Sequence, residues 1–485
     1  MQTDYTPLIP LIEAAQAGHA NICSDSRKVQ PGDIFVALPG SRANGFDFIE
    51  DAMNAGAKWI VCAKNAEMEG LAAGTQCEII HVDDPRLALA HLAKGRWQAW
   101  GRTPKVIGIT GTNGKTTCAW LLEYLLAGLG YKTGLLGTVE YHWPGFREQA
   151  SLTTPDSLAL HEMLAKMGER DVDYAIMEVS SHALAQHRVG AIDFAGAIFT
   201  NLSQDHLDFH KDMETYFRAK ARLFLDLPLK NKALSINADD AYGRRLLELS
   251  PNALAYSLVV PYKDGLKGEI LSISPSGMLL HMEWQGRKWE IKTHLVGAFN
   301  ASNLLAIQAL ALKLGVDPEA FGMLEDFPGV PGRLERITNT QGLNVFVDYA
   351  HTPDALVNAL QALRGAGFKR IVTLFGCGGN RDRTKRPLMG KAVSQLSDVA
   401  FLTSDNPREE DPLLIMEDVK PGLADAKEAF FEVDRKEATR KALQMISGDD
   451  ALLIAGKGHE DYQILGTRKY HYSDQEVVRE FLSCI

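Results

Sequence analysis

The stretch VIGITGTNGKTTCAW, residues 106–120, decides how the centre of the chain folds. Its apolar start is typical of a buried strand, and the glycine-rich segment 111–117 leads into an apolar pattern typical of a helix. A strand, a glycine loop with lysine and threonine, and a helix are the order of a phosphate-binding loop. In such a loop, backbone N–H groups and the helix N-terminus bind the phosphate. Lys115 would reach the outer phosphates, and the Thr116 hydroxyl would ligate Mg²⁺.

The spacing of this loop differs from that of a strict P-loop. The residue five before Gly114 is Ile109, and the nearest upstream glycines are Gly108 and Gly111. An incidental glycine-rich turn is the alternative interpretation. Because the expected strand and helix flank the loop on both sides, the pattern favours nucleotide binding.

Composition limits the class of protein. The chain has 485 residues, 46% of them hydrophobic and 23% charged, which is typical of a globular protein of about three domains. The formal net charge of −10 argues against a nucleic-acid partner, which would require a basic face. An anionic ligand must then be bound by local lysine, arginine and backbone groups.

Cysteine usage and the apolar pattern indicate the compartment. The six cysteines are scattered without any CxxC pair, which is typical of reduced thiols and predicts no zinc site. The N-terminal stretch lacks the basic and apolar regions of a signal peptide, and no apolar run is long enough to cross a bilayer. We therefore expect a soluble, cytoplasmic protein without a membrane partner, and a monomer.

The order of strands and helices predicts three α/β domains with mostly parallel sheets. Residues 1–101 form a small domain, which the stretch GRTPK connects to a central, ATPase-like domain at 102–331. The Pro- and Gly-rich segment FPGVPGR, 327–333, marks the next boundary. Residues 332–485 return to strand–helix alternation and predict a Rossmann-like domain.

Polar side chains follow the strands of the central domain, where open α/β sheets bind ligands. Glu178 ends one strand, and together with Thr116 it could hold Mg²⁺; a capping or salt-bridged carboxylate is the alternative. His206 and His210 follow the next strand and could equally be ordinary loop histidines. Lys220 shares a predicted helix face with apolar residues. It would either extend to solvent, or be buried with a lowered pKa and react with CO₂ to give a carbamate that binds metal.

Three loops of the last domain follow apolar strands and so are expected at one sheet edge. They carry Arg381, the run Asp405–Arg408, and Gly456 with Glu460. Two arginines suit a carboxylate and the glutamate suits an ammonium group, which together describe a pocket for an amino acid. Surface pairing of arginine with glutamate is the alternative.

These motifs, in this order along the whole chain, resemble the Mur ligase family of peptidoglycan synthesis. The resemblance rests on SDSRKVQPGDIFVALPG, GTNGKTT, LTTPDS, EVSSHALAQHRV, NLSQDHLDFH, the Lys220 helix, VGAFNASNLLAI, PGRLE, VDYAHTPDAL and GCGGNRDRTKRPLMG. The phosphate loop of that family departs from the strict spacing in the same way.

The resemblance implies an ATP-dependent amide ligase. The D-Glu γ-carboxylate of UDP-N-acetylmuramoyl-L-Ala-D-Glu would take the γ-phosphate of ATP to form an acyl phosphate, which the amine of meso-diaminopimelate then attacks, with domain closure expected. The DNPR run, 405–408, resembles the diaminopimelate-adding branch. Addition of L-lysine, or of glutamate as in folylpolyglutamate synthases, is the near alternative. The more distant alternative is a non-catalytic regulator. Under that hypothesis a catalytic lysine or a metal ligand is expected to be lost.

The resemblance also implies domain and residue roles. The first domain would bind the uridine nucleotide end, the second ATP and the third the amino acid. For ATP it implies Gly111, Thr112, Asn113, Gly114, Lys115, Thr116, Thr117, Asn303, Arg333, Asp348 and His351. For the UDP-muramoyl dipeptide it implies Ser24, Ser26, Ser41, Arg42, Ala43, Leu152, Thr153, Thr154, Ser180, Gln186 and Arg188. For diaminopimelate it implies Arg381, Asp405, Asn406, Pro407, Arg408, Gly456 and Glu460. Magnesium would be bound by Thr116, Glu178, His206 and carbamylated Lys220, and catalysis would use Lys115, Glu178, His206 and Lys220.

Overall fold

The structure, a computed structural model, describes residues 6–40, 44–64, 77–98, 101–227 and 232–483. The chain forms two units, one of residues 1–255 with 306–316 and one of residues 256–305 with 317–485. None of the helices in the described ranges is long and apolar enough to span a bilayer. The predicted domain boundaries at 101/102 and 331/332 stay predictions.

The first unit opens with a four-stranded parallel sheet in the order β1-β2-β3-β4. Its apolar strands pack against two helices around Leu11, Val36 and Leu92, and against a third helix around Phe35 and Ala52. The elements are α1 (Ile9–Gln16), β1 (Ile22–Cys23), β2 (Ile34–Val36), α2 (Ile49–Asn54), β3 (Trp59–Ala63), β4 (Glu78–Val82) and α3 (Pro85–Gln98).

A second sheet of the first unit carries the phosphate loop. Its strands lie in the order β11-β10-β5-β9-β6-β7-β8, parallel from β11 to β6, with β7 and β8 added antiparallel. The elements are β5 (Lys105–Thr110), α4 (Lys115–Gly128), β6 (Thr133–Leu136), β7 (Glu140–Trp143), β8 (Phe146–Gln149), α5 (Ser157–Glu169), β9 (Tyr174–Glu178), α6 (Ser181–Ala185), β10 (Phe194–Phe199), α7 (Leu207–His210), α8 (Met213–Leu225), β11 (Ala233–Asn237) and α9 (Ala241–Leu249).

Capping side chains set where several of these helices begin. Asp156, Asp212 and Asp240 precede α5, α8 and α9, and each carboxylate accepts a hydrogen bond from a backbone N–H of the first turn. Such caps satisfy N–H groups that have no partner inside the helix. They fix the direction of α8, the helix that carries Lys220.

The second unit begins with an antiparallel meander and continues as a six-stranded sheet in the order β16-β17-β21-β18-β19-β20. Only β16 runs antiparallel within that sheet. The elements from the unit boundary onward are β12 (Leu254–Ser257), β13 (Leu266–Ser274), β14 (Gly277–Trp284), β15 (Arg287–Thr293), α10 (Ala298–Lys313), β16 (Glu335–Arg336), β17 (Asn344–Asp348), α11 (Pro353–Gly365), β18 (Arg370–Phe375), α12 (Lys385–Leu396), β19 (Val399–Leu402), α13 (Pro412–Val419), β20 (Ala429–Phe431), α14 (Arg435–Gln444), β21 (Asp450–Ala455), β22 (Tyr462–Leu465), β23 (Arg468–His471) and α15 (Asp474–Ser483).

The predicted α/β fold with mostly parallel sheets is confirmed. Long apolar runs such as ALLIA in β21 are buried along their whole length, as a sheet covered on both faces requires. Two hairpins were not predicted, β7–β8 and β22–β23, because their strands are short and mix polar with apolar residues.

Candidate active site

The phosphate loop connects β5 to α4, as predicted. Gly111 has a φ of 153°, and a Cβ at this position would lie 1.9 Å from Thr200 Oγ1. Gly114 has a φ of 86° and caps α4 in the left-handed conformation. Glycine is the residue that adopts these angles without strain. The loop is therefore shaped by its glycines, despite the altered spacing.

Two lysines converge on one carbonyl of this loop. Lys115 Nζ donates to Gly111 O at 2.9 Å and to Thr112 O at 2.8 Å. Lys220 Nζ donates to the same Gly111 O at 2.8 Å and lies 4.7 Å from the Tyr216 ring centroid. Lys220 is 1% exposed, and burial, together with the charge of Lys115, holds its pKa well below the usual range. Of the two alternatives for Lys220, the structure shows burial, which the carbamate prediction requires.

Thr116 and Glu178 are in direct contact. Thr116 Oγ1 donates to Glu178 Oε2 at 3.0 Å, and Thr138 donates to the same carboxylate from its backbone N at 2.7 Å and from its Oγ1 at 2.9 Å. Glu178 is fully buried. A buried carboxylate beside a threonine hydroxyl at a phosphate loop is an oxygen-donor set that suits Mg²⁺.

The residues assigned to the muramoyl dipeptide form a connected network. Thr154 Oγ1 donates to Glu178 O at 2.8 Å and accepts from Ser180 N at 3.0 Å. Arg188 donates to Thr154 O at 2.9 Å and to Gln186 Oε1 at 2.8 Å. The network therefore joins these side chains to the strand end that bears Glu178.

Two further residues of this group lie on the same loop. Thr153 Oγ1 is 3.2 Å from Thr138 Oγ1, and Leu152 exchanges hydrogen bonds with the Tyr141 hydroxyl. The β7 strand, which was not predicted, thus supports the segment 152–154.

The histidines after β9 and β10 lie together in an aromatic cluster. The His182 and His206 rings lie 4.9 Å apart, and His210 Nε2 is 2.9 Å from Ser181 Oγ. His206 has a φ of 52° and pairs with Asp205 at 3.4 Å. Burial lowers the pKa of His206, with Lys115 and Lys220 adding to the effect. In the described part of the chain, no three histidine, cysteine, aspartate or glutamate side chains are grouped as metal ligands. His206 therefore stays a predicted ligand only.

The structure gives less information on the residues that were assigned to the uridine end in the first domain. Ser24 and Ser26 follow β1, and Ser26 begins a 3-10 turn capped by Asp25. Ser41, Arg42 and Ala43 lie outside the described residues.

In the second unit, three of the four remaining ATP residues, Arg333, Asp348 and His351, lie near the end of β17. Asp348 accepts hydrogen bonds from Leu334 N at 2.6 Å and Ala350 N at 2.7 Å, and burial raises its pKa. Arg333 lies 5.0 Å from the Tyr349 ring centroid. Its buried Nε has no hydrogen-bond partner among the described residues, which suits contact with a ligand.

The other two ATP residues are fixed by their own hydrogen bonds. His351 Nδ1 lies 2.7 Å from Tyr349 O, and burial lowers the pKa of the imidazole. Asn303 is buried on α10 and donates to Asn300 Oδ1 at 3.2 Å.

The loops after β18, β19 and β21 meet, as predicted for one sheet edge. Arg408 Nη1 donates to Gly379 O at 2.9 Å, and Asn406 Nδ2 donates to Glu460 Oε2 at 2.8 Å. A Cβ at Gly456 would lie 2.6 Å from an Asp405 carboxylate oxygen, so the glycine permits this approach. Arg408 is partly buried at a φ of 54°, and its backbone N donates to Ile464 O of the β22–β23 hairpin at 3.0 Å.

Three residues of this edge were missed from the sequence. Lys457 is fully buried and donates to Asn406 Oδ1 and Glu460 Oε2, both at 3.3 Å. The predicted ammonium-binding Glu460 is thus already paired with a lysine.

Arg386 and Glu410 were also missed. Arg386 is 1% exposed and donates to Glu410 and to Asp418 at 2.8–2.9 Å, which ties α12 to the loop after β19. Arg381, in contrast, is exposed. Arginine and lysine in a polar run resemble surface residues, so only the GKGHE pattern after a buried strand could have pointed to Lys457.

Three family models match successive parts of the chain. They are the catalytic domain of the Mur ligase family at residues 20–97, the Mur ligase middle domain at 109–311, and the Mur ligase glutamate ligase domain at 332–458.

Full-length relatives match as well. A protein of Lawsonia intracellularis named UDP-N-acetylmuramoyl-L-alanyl-D-glutamate–2,6-diaminopimelate ligase is 54% identical over 99% of both chains. A protein of Gloeobacter violaceus with the same name is 45% identical over 96% of this chain and 94% of its own. A solved structure of a protein with that name aligns with a TM-score of 0.70 at 32% identity, covering 96% of this chain and 94% of the other.

Proposed function

The chain belongs to the Mur ligase family, and we propose that it joins 2,6-diaminopimelate to UDP-N-acetylmuramoyl-L-alanyl-D-glutamate in peptidoglycan precursor synthesis. The observation that supports diaminopimelate as the acceptor is the contact between the DNPR loop and the loop after β18. In this contact Arg408 Nη1 donates to Gly379 O at 2.9 Å. A guanidinium held there suits the distal carboxylate of diaminopimelate. L-Lysine lacks that carboxylate and would leave the arginine without an anion.

The first step activates the dipeptide. A γ-carboxylate oxygen of D-Glu forms a bond to the γ-phosphorus of ATP, and the bond to the bridging oxygen breaks, releasing ADP and leaving an acyl phosphate. Lys115 and the N–H groups at the start of α4 bind the phosphates and stabilise the charge on the transferring group. The Thr116 hydroxyl and the Glu178 carboxylate would hold Mg²⁺, which would supply positive charge to neutralise phosphate oxygens.

The second step forms the amide. The amine of meso-diaminopimelate adds to the acyl carbon, the amine loses a proton, and phosphate leaves with the electron pair of the C–O bond. Asp405, Asn406 and Glu460 bind the amino acid beside Arg408, and Lys457 fixes Asn406 and Glu460. Arg381 contributes a second cation at this edge.

The uridine end and the muramoyl dipeptide bind to the first unit. Thr153, Thr154, Ser180 and Arg188 lie on one network with Glu178, which supports placing the reacting carboxylate near the phosphate loop. We place the protein in the cytoplasm, where the ATP that the reaction consumes is available.

An isotope experiment tests the proposed route. With ¹⁸O in the D-Glu γ-carboxylate, one ¹⁸O atom is expected in the released phosphate, and mass spectrometry should detect the diaminopimelate adduct and ADP in equal amounts. Product without ¹⁸O in the phosphate would contradict the acyl phosphate. Absence of any adduct, while the same protein adds glutamate to a folate supplied in a parallel reaction, would contradict the acceptor and the donor together.

A further inference from the structure

A cavity of about 370 Å³ lies in the first unit, at the other end of β5 from the phosphate loop. The segment 101–106, with parts of α3 and α5, lines it, together with residues between α6 and β10. At about 3.3 Å per residue, Lys105 and Thr110 at the two ends of β5 are about 17 Å apart. None of the residues assigned above to ATP, dipeptide, diaminopimelate or metal lines this cavity.

The lining is positively charged. Lys94, Arg102, Lys105 and Lys232 line the cavity, against the single carboxylate of Asp193. Lys94 approaches that carboxylate at 3.7 Å. Arg102 pairs with Asp173 at 2.8 Å, so among the described residues Lys105 and Lys232 are the two lining cations left without a carboxylate partner. In a chain with a net charge of −10, two such lysines at one cavity indicate an anionic ligand.

A buried histidine adds a directional contact. His161 on α5 lines the cavity at 7% exposure, and its Nε2 has no hydrogen-bond partner among the described residues. Burial, with a further contribution from Lys94, lowers the pKa of His161 to about 3, so the imidazole is neutral at neutral pH. A buried polar atom without a partner is costly, which suits a ligand that completes its hydrogen bonding.

The rest of the wall is apolar. Pro104, Val106, Leu164 and Ile192 line the cavity beside Trp97. A volume of about 370 Å³ lies within the range of small-molecule sites and exceeds that of a single water. The wall therefore suits a ligand with a ring or another flat apolar body.

We propose that this cavity binds a small aromatic anion, with its charged group among the lysine and arginine side chains, its ring against the apolar wall and a hydrogen bond to His161. The proposal does not rest on the ligase activity. It concerns a site separate from the substrates of the proposed reaction.

The test is a titration of the full chain with 1-naphthoate by calorimetry, in the presence of saturating ADP and UDP. We expect one saturable site, and at least tenfold weaker binding of the uncharged analogue 1-naphthalenemethanol. Combined Lys105→Gln and Lys232→Gln substitutions should weaken 1-naphthoate at least fivefold, and Ala165→Phe, which fills the cavity, should abolish binding. The two lysine substitutions are near the surface and avoid the folding risk of Ala165→Phe.

Lys166→Gln is the matched control. Lys166 lies on α5 next to Ala165, pairs with Glu162 at 2.8 Å and does not line the cavity, so its loss should leave the affinity unchanged. Equal binding by all variants, displacement by ADP, or no saturable binding would overturn the proposal. So would a crystal soaked with 1-naphthoate that contains only water at His161 Nε2.

Discussion

Lys220 carries its amine on the buried face of α8, 2.8 Å from the Gly111 carbonyl. Because its pKa is held well below the usual range, a neutral amine is available to add CO₂ and release a proton, which gives an anionic carbamate. We predict that Lys220→Ala lowers kcat by about 10²–10³-fold, as expected when one group that positions charge at a phosphoryl-transfer site is lost. Formate or acetate should restore part of the activity, measured as phosphate release.

Potassium chloride at equal ionic strength is the control for that rescue. Lys220→Met, which fills the space, should be inactive and unaffected by formate. Near-normal turnover of Lys220→Ala, or a response to chloride equal to that to formate, would disprove the carbamate.

Arg408 is the residue on which the choice of acceptor depends. A charge-assisted hydrogen bond is worth about 1.5–3 kcal/mol, so Arg408→Ala should raise KM for meso-diaminopimelate by about 10–100-fold and leave KM for ATP unchanged. Arg408→Lys should recover little, because lysine cannot bind a carboxylate bidentately. Arg440→Ala is the control, because Arg440 lies on α14 in an exposed ion pair with Glu480 of α15. Equal increases in both KM values would refute the assignment.

At the scale of elements, α4 and β7 are joined by a partly buried ion pair. Glu123 Oε1 lies 2.7 Å from His142 Nε2, and Glu140 lies 2.8 Å from Nδ1. Burial alone would lower the pKa of His142, but the hydrogen bonds to the two glutamates outweigh it and raise the pKa to about 9. A raised folded-state pKa stabilises the protein below the unfolded value of about 6.5, and this stabilisation is lost as pH rises through about 9.

We therefore predict that the Tm of the wild-type protein is higher than that of His142→Gln, and that this Tm difference is largest at pH 6. The difference should shrink by pH 9.5, as up to about 3 kcal/mol of stabilisation is removed. Thermal unfolding followed by circular dichroism measures it, with His19→Gln at an exposed site as the control. A difference independent of pH would contradict the paired, charged imidazole.

Most elements could be predicted because their apolar runs have a clear period. The strands β5, β9 and β21 are continuous buried runs, and α8 carries its apolar residues on one face. The hairpins β7–β8 and β22–β23 could not be predicted, since their stability comes from pairing with distant segments rather than from local pattern. Both hairpins contact loops of the candidate site. The elements that hold the site in place were therefore harder to predict than the site residues themselves.

At the scale of the whole molecule, the order of motifs gave the three α/β parts and the family, because glycine loops and strand ends tie chemistry to fixed positions in such sheets. Buried charged residues were the main feature that could not be predicted from the sequence. Lys457 and the fully buried Arg435–Asp474 pair at 2.8 Å lie in segments whose composition resembles surface. Only the fold shows which charged residues find a buried partner.

The most direct test of the central claim is phosphate release from ATP in the presence of UDP-N-acetylmuramoyl-L-alanyl-D-glutamate, with meso-diaminopimelate or L-lysine as the acceptor. We predict strong release with diaminopimelate only, and loss of that preference in Arg408→Ala. Equal or greater release with L-lysine in the wild-type protein would contradict the assigned acceptor, and release with neither would contradict the ligase function itself.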